Sequence, residues 1–139
     1  ICLFDSFQGL SDPEAVDRNA RPDVMPWRRG DLRSSEDLLR ENLQGFSNIE
    51  IYPGWIPERF HEVEARRFRL VHIDVDLYQP TLDSLEFFFP RLVEGGVIVM
   101  DDYGFLTCPG AKQAAEEFAA RADLQILHLA TGQGVLTRF

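Results

Sequence analysis

Three apolar runs in this chain stop abruptly at carboxylates: residues 1–4 before Asp5, the segment RLVHIDVD (69–76) with Asp74 and Asp76 at its far end, and residues 97–100 before Asp101 and Asp102. Short runs rich in Val, Ile and Leu suit buried strands. Segments of helical period separate them. Ser34 offers a cap with Asp37 three residues on, followed by Leu38, Leu39, Asn42, Leu43 and Phe46, with a stop near Gly45. Pro80 opens a helix carrying Leu82, Leu85, Phe88, Phe89 and Leu92, and residues 111–121 form a third with Ala111, Ala114, Ala115, Phe118 and Ala122 inward. Residues 49–52 read as a short strand ended by Pro53-Gly54, residues 57–66 as a weak helix, and Gly95-Gly96 as a turn. Residues 124–129 and 135–139 read as two last strands, antiparallel because only a tight turn at Gly132-Gln133-Gly134 joins them. Strands alternating with helices predict one α/β domain over 1–139: a Rossmann-like, mostly parallel, doubly wound sheet with helices on both faces and an antiparallel C-terminal strand.

Charge narrows the partners. With 14 basic and 23 acidic residues the formal net charge is -9, which repels phosphate backbones and argues against nucleic acid. The small basic cluster Trp27-Arg28-Arg29 reads as a solvated part of the Pro-interrupted loop 11–33, where Pro13, Pro22 and Pro26 break any helix. No stretch approaches the roughly 18 apolar residues of a membrane span. Cys2 and Cys108 make no disulfide framework or ligand pair, which fits a reducing compartment and a cytoplasmic location. Residue 1 is Ile and stands inside an apolar run, so the native chain is expected to begin earlier.

Ligands of open α/β sheets bind beyond the carboxyl ends of the strands. Asp5, Asp74 with Asp76, and Asp101 with Asp102 would all gather there. Like charges that close raise each other's pKa unless a cation intervenes, and a hard divalent cation such as Mg²⁺ is the economical partner. A single strand-end Asp is more often a cap; two acidic pairs, each after an apolar strand, favour a site. Other residues carry blander readings. His72 is expected as a hydrogen-bonded core histidine with a supporting role toward the site as the alternative; His61 and His128 have no visible partner. Phe87 to Phe89 are core, and Gly132-x-Gly134 precedes a strand, so it is a turn and no phosphate loop. Trp55, after Gly54 at another strand end, would stack on an adenine or close the core.

The segments FDSFQGL (4–10), VHIDVDLYQPTLDSLEFFFPRL (71–92), GGVIVMDDYG (95–104) and AAEEF (114–118) together resemble the macrocin O-methyltransferase family, in order and over essentially the whole chain. The resemblance implies a class I methyltransferase fold using S-adenosyl-L-methionine and a divalent metal, usually Mg²⁺, to methylate sugar hydroxyls in antibiotic biosynthesis. Carried over by position, Asp74, Asp101 and Asp102 match the metal ligands and Asp76 the general base. Asp5 falls where this fold holds the cofactor ribose, with Ser6 beside it and Gly54 and Trp55 as further cofactor contacts. The family's first strand and its glycine-rich turn have no counterpart here, and the resemblance places that strand centrally, between the strands ending in Asp5 and Asp74. Residues 107–112 (TCPGAK) depart from the usual Pro-Gly-Cys-Arg, with Ala111 in place of the Cys.

The expected partner is a small glycoside or other vicinal diol, and a homo-oligomer is compatible with the pattern. Three rivals stand beside this reading. A dehalogenase-like phosphatase shares Asp74-x-Asp76, but Tyr78 stands where that group has Thr or Val. A glycosyltransferase of the Asp-x-Asp type leaves the second acidic pair unexplained. An inactive methyltransferase remnant would lack the cofactor turn.

Overall fold

The computed structural model describes residues 1–18 and 23–139; Pro22, one of the three expected helix breakers of the long loop, lies outside the described residues. Strand β1 (Cys2–Asp5) pairs in parallel with β2 (Glu50–Pro53), and between them lies helix α1 (Glu36–Asn42). Strand β3 (Phe68–Ile73) then leads into α2 (Tyr78–Phe88), β4 (Leu92–Met100), α3 (Pro109–Arg121), β5 (Leu127–His128) and β6 (Gly134–Thr137). These four strands form a second sheet in the order β3-β4-β6-β5, parallel between β3 and β4 and antiparallel from β4 onward. The antiparallel end expected from the short final connection is present.

Among the described residues the two sheets do not pair with each other. The break falls between β1 and β3, where the resemblance implies one more strand. Aromatic side chains bridge it instead. The Phe4 ring of β1 meets Phe60 edge-on at 5.4 Å and Phe88 of α2 at 6.1 Å, and Phe60 meets Phe88 at 4.8 Å. Such pairs add about 0.5–1.5 kcal/mol each beyond the area they bury.

The core follows strand alternation. Val71 and Ile73 of β3, Ile98 and Met100 of β4 and Leu136 of β6 point to one face and are buried against α2 and α3. Helix α3 presents Ala111, Ala114, Ala115, Phe118 and Ala119 to that core; small residues let the two helices approach closely. Ala122, expected inward, is exposed because the helix ends at Arg121. Ser35 rather than Ser34 caps α1, accepting from the Leu38 amide at 3.3 Å. That helix buries no residue: Leu38 and the later Phe46 are exposed, and Leu39 and Leu43 are half-buried. The segment expected as a weak helix is a 3-10 helix, Glu58–Val63, which buries Phe60 and Val63. Gly95-Gly96 lies inside β4, yet the register jumps there from Phe68↔Leu92 to Leu70↔Val97, so the glycines bend the strand as a bulge.

Candidate functional site

The turn after β3 carries the first acidic pair. Leu77 N donates to Val75 O at 2.6 Å, closing a three-residue turn around Asp76, whose φ is 62°. That backbone region is uncommon for a non-glycine residue and strained in such a turn. Asp102, just past β4, holds it in place: its Oδ2 accepts from Asp76 N at 2.9 Å and Val75 N at 3.2 Å. Asp102 is buried, so two backbone donors offset part of the cost of removing its carboxylate from water.

The carboxylates converge as the strand ends require. Ligand oxygens of Asp74, Asp101 and Asp102 lie within 4.8 Å of one another. Burial pushes Asp74 above the ordinary carboxylate range, with Asp101 adding repulsion, and burial also raises Asp102 against the pull of the two amides. Asp76 is pushed up to about 6, first by burial and then by the charge of Asp102. A cation among these groups would reverse that logic. Three convergent carboxylates, of which Asp102 is buried, Asp101 half-buried and Asp74 exposed, are the donor set a hard divalent ion takes, so the residues present fit Mg²⁺.

Asp74 and Asp76 also line a cavity of about 510 Å³ that reaches across the break in the sheet. Its opposite wall holds Asp5, Ser6, Gly54 and Trp55, the four residues singled out for a cofactor; Asp101 and Asp102 are not among its lining residues. Asp5 Oδ1 accepts from the Phe7 amide at 2.7 Å, and the Ser6 hydroxyl both donates to Gly9 O and accepts from Gln8 N. Ser6 is thus largely engaged in shaping its own turn, while Asp5 has a second oxygen that this bond does not use. The cavity is large enough for a nucleoside-sized ligand.

Sequence reasoning missed three neighbours. Cys108 is buried with Sγ 3.6 Å from Asp76 Oδ1 and 3.7 Å from Asp102 Oδ1, and burial pushes its thiol up to about 12. Asp17, in the long loop, is buried; its Oδ1 accepts from Tyr78 N at 2.7 Å, capping α2 from 61 residues away, and its Oδ2 accepts from Glu14 N. Gln133 reaches Asp101. His72, expected in the core, is instead more than half exposed with Nε2 3.4 Å from Asp101 Oδ1. No local pattern marks the contacts of Cys108, Asp17 and Gln133, which depend on how distant segments meet, whereas the place of His72 two residues before Asp74 leaves a supporting role toward the site as its alternative.

The profile of the macrocin-O-methyltransferase (TylF) family matches residues 1–129. The chain belongs to that family. A demethyldecarbamoylnovobiocin O-methyltransferase from Streptomyces niveus is 30% identical over 129 residues, covering 89% of this chain and 48% of its own length. A tetracenomycin-C rhamnosyl 4'-O-methyltransferase from Streptomyces olivaceus is 31% identical over 119 residues, covering 80% and 44%. The solved O-methyltransferase NovP superposes with a TM-score of 0.76 at 26% identity, over 99% of this chain and 59% of that one. This TylF-family chain thus spans about half the length of the curated relatives it matches. Its fold is the Rossmann-like class I methyltransferase fold. Among the described residues no helix is long and apolar enough to cross a membrane.

Proposed function

We propose that this TylF-family chain carries the acceptor and cation half of an O-methyltransferase that uses S-adenosyl-L-methionine and a divalent cation to methylate a hydroxyl of a sugar or other vicinal diol in a small natural product. The supporting observation is that Asp74, Asp101 and Asp102 converge to within 4.8 Å, and that Asp74 with Asp76 lines a cavity whose far wall holds Asp5. Both named relatives are natural-product O-methyltransferases, one of them acting on a rhamnosyl group. Family membership also weighs against the phosphatase and glycosyltransferase alternatives.

In this reading Asp74, Asp101 and Asp102 would hold the cation, which would supply Lewis acidity to a bound hydroxyl. S-adenosyl-L-methionine would supply an already activated methyl group, leaving the protein to align it. Asp5, Gly54 and Trp55 line the wall assigned to the cofactor, with Ser6 shaping the turn beside Asp5. Asp76, beside the cluster and fixed by the turn that Asp102 anchors, accepts the acceptor's proton as general base. Asp102 has a second duty, fixing Asp76 through the turn it anchors.

Calorimetric titration of the full-length protein with S-adenosyl-L-methionine, with and without Mg²⁺, tests the reading. Cofactor binding is expected in both conditions and methyl transfer to a glycoside only with the cation. A protein that binds no cofactor would sink the proposal.

A further inference from the structure

We infer that Gln133, held by Thr131, is a positioning residue for the Asp101 carboxylate. This rests on the cation reading of Asp74, Asp101 and Asp102, and gives a role to the glycine-flanked turn that is not a phosphate loop.

The turn before β6 is built onto the segment that follows β4. Leu129 N donates to Gln133 O at 2.8 Å and Gly132 N to Leu129 O at 3.0 Å, closing the turn on itself. Gly104 N donates to Gly132 O at 2.7 Å, joining it to the Asp101–Gly104 3-10 turn. There is no room between the two. A Cβ on Gly104 would lie 2.6 Å from Gly132 O, and a Cβ on Gly134 would lie 2.7 Å from Tyr103 Cγ. Gly132 itself has φ +103°, which other residues rarely adopt. The turn therefore sits in one place relative to Asp101.

From there the Gln133 side chain donates from Nε2 to Asp101 Oδ1 at 3.1 Å. A carboxamide can present either its NH₂ or its oxygen, and only the NH₂ suits a carboxylate. Asp101, which can only accept, makes that choice, and the Thr131 hydroxyl donates to Gln133 Oε1, so both ends of the amide are held. His72 Nε2 approaches the same oxygen from β3 at 3.4 Å. Both contacts fall on Oδ1, so the carboxylate is fixed by one oxygen while the other is engaged by neither. A ligand held this way loses less freedom when a cation arrives.

The test is Mn²⁺ binding, followed by the electron-spin resonance of the free ion, on the full-length protein and its variants. Gln133→Leu is expected to weaken Mn²⁺ binding by about 10-fold or more, the range typical of lost outer contacts. Thr131→Val should weaken it less and Thr131→Ser should restore it, with metal-free melting temperatures unchanged. A purely structural role would move the melting temperature and leave Mn²⁺ affinity alone. Wild-type affinity in Gln133→Leu overturns the inference; should that variant not fold, equal affinity in Thr131→Val and Thr131→Ser overturns it. A wild-type protein that binds no Mn²⁺ removes the cation reading itself, a distinct failure.

Discussion

Asp76 is held at a backbone angle of 62° by amide bonds to Asp102, and this dictates how it should be probed. Asn tolerates that region far better than Ala does. Asp76→Asn is therefore expected to keep the turn and the cation while lowering methyl transfer by about 10²–10⁴-fold, the span of general-base effects. Near-normal turnover would remove Asp76 from the base role. Its titration makes a second prediction. The group sits at about 6 in the folded chain against an ordinary 3.8, so between those values the folded state binds more protons than the unfolded one. Its contribution to stability is then fully present below 3.8 and lost as pH rises through about 6. Metal-free protein should melt higher near about pH 5 than near about pH 7.5, and saturating Mg²⁺ should shrink or invert the difference, because protons and cation compete for one cluster. Differential scanning at the two values, with and without Mg²⁺, measures it.

At the scale of elements, the contact that most needs testing joins the long loop to α2. Asp17 stands in for the cap that Leu77 cannot provide, and α3 closes over it: a Cβ on Gly110 would overlap Asp17 Oδ1. Asp17→Ala should cost about 1–3 kcal/mol, since it leaves the Tyr78 amide unpaired, and Gly110→Ala should cost a similar amount by displacing the same carboxylate. Urea unfolding of the two single variants and the double variant checks this, and strong non-additivity is expected because both act through Asp17. Strands β1, β3 and β4 were readable because their apolar runs are short and end in acid, β2, β5 and β6 because glycine or proline turns bound them, and α2 and α3 because their buried faces recur at helical spacing. The acidic pairs were readable for the same reason, since position at a strand end is local information. Asp17, Cys108 and Gln133 were not. Asp17 and Gln133 bond groups 61 and 32 residues away, and Cys108 lies 32 residues from Asp76. Gly95-Gly96 misled in a different way: glycine suits a turn and a strand bulge equally, and pairing with β3 decided between them.

Over the whole molecule, the organising fact is that the cavity walls belong to different sheets. Asp5 and Gly54 lie at the ends of β1 and β2, Asp74 and Asp76 beyond β3, and among the described residues no strand pairing runs from one side to the other. The separation between the two walls is set by ring packing among Phe4, Phe60 and Phe88 rather than by a hydrogen-bonded ladder. Truncating Phe4 to Ala should therefore weaken cofactor and cation binding together, though Phe4 is no cation ligand; titration of each ligand separately would show it. A ligand that touches both walls would add its own contacts to the ring packing that already joins the two sheets in one core.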